Sequence, residues 1–180
     1  RVKSESSIDH EKKINLVAQE GTQNILDAIS DKCKIIMPSS HVVYEGIEKV
    51  KNDILEDEDT SPVLAYGKSK DINEKQLKNS GKNYIILRLG SVYGYSTDTA
   101  RIDIMTNFFS KMASQNGILR LFAGGSQVKS LVPLIDVARC FKFMEERDDI
   151  SSELFNLTKD TVTVKEVAEI CKKYNPKITL

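Results

Sequence analysis

Cysteine is scarce: Cys33, Cys140 and Cys171 are the only three, an odd number with no C-x-x-C pair among them. That excludes a disulfide framework and a thiolate zinc site, and it fits reduced thiols, buried or partly buried, in a cytosolic protein. The two histidines, His10 and His41, have no companions at metal-ligand spacing, so no metal site is expected. A surplus of charge of one sign is missing as well. Lys and Arg number 26, Asp and Glu number 26, and no basic stripe points to nucleic acid. Long apolar runs are absent, which excludes a membrane-spanning helix, and no stretch has the pattern of a secretory signal. There are no internal repeats. A hydrophobic content of 40% and a charged content of 29% suit a water-soluble globular domain. The 180 residues open without Met and stop at Lys177-Ile178-Thr179-Leu180 as a strand begins, so a segment of a longer protein is expected.

What is present is organised around Ser61-Pro62-Val63-Leu64-Ala65-Tyr66-Gly67-Lys68-Ser69-Lys70. It reads as a helix start, with Ser61 as cap and Pro62 at the first helical position. Tyr66 and Lys70, four residues apart, share one face, about 6 Å apart along the axis. A phenol titrates near pH 10, and bringing it to neutrality takes about 4 kcal/mol. One cation about 4 Å away at an effective dielectric of about 20 supplies roughly that amount. The pair is therefore a plausible proton-transfer device for a hydroxyl or ketone, although Tyr-x-x-x-Lys alone also describes many surface helices.

The remaining chain alternates strand and helix. Ile8 to Ser30 is helical, with Ile14, Val17, Gly21, Ile25 and Ile29 near one face. Lys34–Met37 is a buried parallel strand ending at Pro38-Ser39-Ser40-His41, where small hydroxyl residues sit at the ligand-binding end of open sheets. A polar loop with one weak helical turn covers Gly46–Thr60. The Tyr66 helix stops at Ser80-Gly81, and Tyr84–Leu89 is the next strand, giving a right-handed βαβ unit. Gly90–Gly94 is expected as a turn. A helix over Ile102–Gln115, strands over Ile118–Phe122 and Val128–Val132, and a helix over Ile135–Glu146 follow. A strand over Leu154–Leu157 precedes a last helix, Thr163–Tyr174, opened by a Thr163/Glu166 capping box.

Several stretches in order resemble the extended short-chain dehydrogenase/reductase family, in its nucleotide-sugar epimerase and dehydratase branch. They are Gly21-Thr22-Gln23-Asn24, Ser39-Ser40-x-x-Val43-Tyr44, Tyr66-Gly67-Lys68-Ser69-Lys70, Arg88-Leu89-x-Ser91-Val92-Tyr93-Gly94, Gly125-Ser126-Gln127-Val128-Lys129 with Asp136-Val137-Ala138, and Phe155-Asn156-Leu157. The resemblance implies an α/β fold: a partial Rossmann-like doubly wound parallel sheet over residues 1–94 and a smaller α/β substrate-binding lobe over 95–180, with segments returning to the first sheet.

It also implies roles. Ser40, Tyr66 and Lys70 are the catalytic set. Tyr66, Lys70 and Ser39 lie on the side of an NAD cofactor, with NADP an alternative. Ser40, Ser91 and Lys129 contact a sugar-nucleotide substrate, and the protein is a homodimer. The family's opening G-x-x-G-x-x-G turn, which holds the cofactor pyrophosphate, does not occur in these residues. His41 and Val42 stand where 4,6-dehydratases carry an Asp-Glu pair, and valine transfers no proton. An NAD-dependent epimerase or related oxidoreductase is the leading expectation. A non-catalytic scaffold of the same fold and a reductase of a small alcohol or ketone remain alternatives.

Overall fold

The computed structural model describes residues 5–49, 51, 53–97 and 100–180, with side chains from residue 9 onward. It divides into two compact units, residues 1–89 with 141–156, and residues 90–140 with 157–180.

The first unit carries helix α1 (Glu5–Ala28), strand β1 (Lys34–Ser40), helix α2 (Ala65–Asn79) and strand β2 (Asn83–Leu89). Strand β5 (Glu153–Leu157) completes a three-stranded sheet in the order β1-β2-β5. β1 and β2 pair in parallel from Lys34 opposite Asn83 to Ser40 opposite Leu89, as the β-α-β pattern predicts. Ile85, Ile86 and Leu87 are all fully buried, so both faces of β2 are covered. Leu26 of α1, Leu77 of α2 and Ile86 of β2 form the core, with Ile35, Met37, Tyr84 and Leu154 around them.

α1 packs on α2, but not through the face its apolar period suggests. Asn73 donates to the Ala18 carbonyl at 2.9 Å and to the Thr22 hydroxyl at 2.8 Å, and Gln76 donates to the Gln19 carbonyl at 3.0 Å. Leu26 continues that face and is 5% exposed, whereas Val17 is 62% exposed and Ile25 58%. Periodicity locates an apolar stripe; it does not say which side of the helix meets this chain.

α2 stops as expected, with Ser80 at its cap and Gly81 in the left-handed region at φ 72°. Its start differs. The helix begins at Ala65, and Leu64 occupies the cap without a side-chain bond. Ser61 instead closes the preceding loop: its N–H donates to the Val43 carbonyl and its carbonyl accepts from Gly46, both at 2.7 Å. Among the described residues of 46–60 there is no helix; positions 50 and 52 lie outside them. Segment 141–156 is held by Lys34, whose ammonium donates to the carbonyls of Met144 (3.2 Å), Glu145 (3.3 Å) and Arg147 (2.7 Å). A cation at the end of a helix meets the carbonyls that have no helical partner.

The second unit holds strand β3 (Ser91–Tyr93), helix α3 (Met105–Ser114), strand β4 (Val128–Pro133), strand β6 (Asp160–Thr163) and helix α5 (Val164–Tyr174). Helix α4 (Leu134–Glu145) follows β4, and the division between the units falls inside it. The sheet order is β3-β4-β6, parallel then antiparallel. Phe109, Ala113, Leu119, Leu131, Val167, Ala168 and Ile178 form the core. The α5 capping box is present as read, Thr163 and Glu166 bonding reciprocally.

Three expectations are corrected here. Gly90–Gly94 is not only a turn, because Ser91–Tyr93 pairs with Leu131–Pro133 far along the chain. Ile118–Phe122 is not a strand but a single bridge from Ile118 to Thr179. Cys33 is exposed, in the turn before β1, while Cys140 and Cys171 are partly buried free thiols whose burial pushes their pKa up. Among the described residues no helix is long and apolar enough to cross a membrane.

Candidate active site

The site is built where β1 ends. Ser40 is its last residue, and its hydroxyl turns toward the Val42 N–H at 3.5 Å, opening a 3-10 turn over His41–Tyr44. The chain thus reverses at the carboxyl end of a parallel strand, leaving short polar side chains there. The first turn of α2 lies against that reversal. A methyl group on Gly67 would meet the Val42 carbonyl oxygen at 3.0 Å and the Pro62 Cβ at 3.1 Å. Glycine inside a helix costs about 1 kcal/mol relative to alanine, and here it lets the helix backbone approach.

Tyr66 and Lys70 therefore project beside the end of β1. The Lys70 ammonium sits 5.7 Å from the Tyr66 ring centroid and donates to the Pro38 carbonyl at 2.9 Å. Burial pushes the Lys70 pKa down, with the charge of Glu74 acting in the opposite direction. Tyr66 is 54% exposed, so its ring is open to a ligand. The structure thus brings Tyr66 and Lys70 together, in the same unit as Ser40.

Ser39, expected on the cofactor side, is buried and donates its hydroxyl to Glu74 at 2.5 Å. His41 turns its Nδ1 to the Leu89 carbonyl at 3.0 Å. Ser91 and Lys129 belong to the second unit: Ser91 opens β3 opposite Leu131, and Lys129 lies in β4 opposite Val162.

Below this surface lies a group that sequence reasoning missed. Glu74 of α2 and Arg88 of β2 form an ion pair with side chains 2% and 3% exposed. The Arg88 Nε donates to both Glu74 oxygens at 3.0 and 3.2 Å, and Nη2 to Oε2 at 2.7 Å. Nη1 meets the Tyr44 hydroxyl and the Glu56 carbonyl. Burial works against the Arg88 charge, but the bonds and charge of Glu74 outweigh it and hold its pKa above the ordinary value. The available signal was an arginine inside an apolar strand, with a glutamate continuing the spacing of Tyr66 and Lys70.

Asp71, on the same helix, accepts from Thr60 and from Lys75, both at 2.6 Å. Burial raises its pKa, yet those bonds and the nearby cations prevail and hold it below the usual range. A depressed folded-state pKa contributes stability above the unfolded value, near pH 4, and loses it as pH falls through the folded value. The stability gap between the protein and its Asp71→Asn variant should therefore narrow when urea unfolding is repeated at pH 3 rather than pH 6. A constant gap would remove this role.

Residues 2–127 match the RmlD substrate binding domain family. The chain belongs to that family. The resemblance to the extended short-chain dehydrogenase/reductases is borne out at this level. The fold is similar to that of UDP-glucose 4-epimerase from Thermotoga maritima, solved with UDP-glucose, at 23% identity and a TM-score of 0.79 over 95% of this chain and 57% of that one. UDP-glucuronic acid 4-epimerase from Bacillus cereus, solved with UDP-glucuronic acid and NAD, matches at 23% identity and 0.77, over 90% and 52%. An epimerase from Methanothermobacter thermautotrophicus matches at 20% and 0.78, over 97% and 55%. The chain spans little more than half of each of these structures. Likeness at this identity establishes the α/β, Rossmann-like fold. No curated protein matches the sequence.

Proposed function

We propose that this chain carries the proton-transfer side of an NAD-dependent nucleotide-sugar epimerase or closely related oxidoreductase. The observation that carries the reading is the Tyr66–Lys70 pair, anchored through Pro38 at the end of β1 and in one unit with Ser40. Tyr66 exchanges a proton with a sugar hydroxyl or ketone. Ser40 hydrogen-bonds the same sugar oxygen and stabilises charge developing there. The Lys70 ammonium, beside the Tyr66 ring, places a positive charge next to the reacting oxygen.

The donor set fits the nicotinamide side of the cofactor. An ammonium has three donors, so the Pro38 contact does not exhaust Lys70, and ribose hydroxyls suit the remainder. Bound NAD supplies the hydride acceptor and donor. The pyrophosphate cradle does not fit these residues, since no G-x-x-G-x-x-G turn occurs among them; it is assigned to the rest of the full-length protein. Ser39, with its hydroxyl engaged by Glu74, holds β1 in place beside the cofactor. Ser91 and Lys129 are assigned to substrate phosphates, Lys129 as a point charge rather than a bidentate fork. Epimerisation is preferred to 4,6-dehydration because Val42 transfers no proton and His41 is tied to Leu89.

Heat unfolding of the full-length protein with and without UDP-sugars tests the substrate class. A ligand at about 100 times its dissociation constant stabilises by about 2.7 kcal/mol, a shift of several degrees. Absence of any shift across UDP- and dTDP-sugars would remove the sugar-nucleotide reading. Ala18, Ser91 and Lys129, which depart from the family's usual residues, favour a second reading, a non-catalytic scaffold, and calorimetric titration of the full-length protein with NAD⁺ separates the two. Binding supports the enzyme; its absence supports the scaffold.

The exposed Leu16, Val17 and Ile25 of α1 support a homodimer through this helix. Light scattering should give twice the chain mass for the full-length protein and the single mass for Val17→Glu. A monomer without the substitution would end that assignment.

A further inference from the structure

We infer that Glu74, clamped by Arg88, is the positioning residue of the Tyr66–Lys70 pair, setting α2 against the end of β1 so that lysine and tyrosine meet the same reacting oxygen as Ser40. The inference rests on the proton-transfer reading above.

Three observations converge. First, Tyr66, Lys70 and Glu74 follow one another at intervals of four on α2, so they are successive neighbours along the helix. Second, α2 grips two adjacent residues of β1: Lys70 bonds the Pro38 carbonyl, and Glu74 bonds the Ser39 hydroxyl. Ser40 is the next residue. Third, Ser39 stands directly opposite Arg88 in the β1–β2 register, so Glu74 bridges a cross-strand pair. Arg88 also meets Tyr44, both at its hydroxyl and with its guanidinium carbon 4.8 Å from the ring centroid. Tyr44 ends the turn that Ser40 opens. The chain is therefore tied to one ion pair on both sides of Ser40.

Stability alone does not account for such a pair. Replacing a buried ion pair by apolar residues of similar volume is often neutral or stabilising, because desolvation offsets the attraction. Position does account for it. Misplacing a reacting group by about 1 Å costs roughly a hundredfold in rate. The charge of Glu74 also works against the burial that lowers the Lys70 pKa.

The test uses the full-length protein with both charges removed, Glu74→Leu with Arg88→Met. The double variant is expected to fold, with kcat on the sugar nucleotide reduced at least about tenfold and KM changed less than about threefold. A folded double variant with kcat within about twofold of the parent overturns the inference.

A second readout needs no turnover. In ring-labelled protein the Tyr66 resonance, assigned by its loss in Tyr66→Phe, should move when Lys70→Met is introduced. In the double-variant background that displacement should vanish. An equal displacement in both backgrounds overturns the inference. Should the parent turn over no sugar nucleotide, the proposed function fails while this measurement still decides the positioning role. Should the double variant not fold, Ser39→Ala replaces it in both measurements. Loss of at least about threefold in kcat supports the inference, and an unchanged kcat with an unchanged Tyr66–Lys70 coupling overturns it.

Discussion

Under the proposed function, Tyr66→Phe in the full-length protein should lower turnover of a sugar nucleotide by at least about a hundredfold while leaving the fold intact. Positioned proton transfer contributes about 10² to 10⁴ in rate, and the substitution removes the one group assigned to it. It removes little else. The ring is kept, so its packing beside Lys70 survives, and a side chain 54% exposed leaves no buried polar partner behind. Affinity for the nucleotide should change little, because the lost contact belongs to the reacting oxygen. Steady-state kinetics with circular dichroism on the same sample is the measurement. Turnover equal to the parent's would mean that another group moves the proton, and the Ser40–Tyr66–Lys70 assignment would fall with it.

The second large effect is on stability. Arg88→Ala should destabilise the protein by about 3–5 kcal/mol, the range found when one member of a buried pair is removed. The reason lies in what remains. Glu74 keeps its place, 2% exposed, with the Ser39 hydroxyl as a neutral partner where a bidentate cation had been. The Tyr44 hydroxyl and the Glu56 carbonyl lose a donor at the same time. Domains are stable by about 5–15 kcal/mol, so a large part of the margin would go. Removing both charges together should cost far less, and that contrast separates a charge penalty from a simple loss of volume. Urea unfolding of the single and double variants reads it. A loss below about 1 kcal/mol for Arg88→Ala would show that the pair is not desolvated as the structure places it.

Much of the fold was written in local pattern. The apolar runs of β1 and β2, the helix between them and its Ser80-Gly81 stop are each decided within a few residues, and βαβ handedness then follows. The Thr163/Glu166 capping box is likewise a matter of three-residue spacing, and the structure holds it as read. Tyr66 and Lys70 were legible as a pair because spacing by four on a helix forces them together.

Other features depended on partners distant in sequence. Ser61 has the chemistry of a helix cap, yet its backbone is drawn to Val43 and Gly46, and the helix starts later. Ser91–Tyr93 looks like a turn until β4 supplies its hydrogen bonds. The apolar stripe of α1 was visible, but α2 took the face of Ala18, Thr22 and Leu26. Glu74 and Arg88 had no local signal strong enough to join them, because the pairing depends on α2 lying across β1 and β2. By itself the sequence determined β1, β2, the helices, the Tyr66–Lys70 spacing and the family. Only the tertiary structure decided which faces are buried, where Ser39 spends its hydroxyl, and what holds the Tyr66–Lys70 pair in place. Periodicity and capping act over one or two turns, whereas burial and ion pairing are set by whichever distant segment arrives.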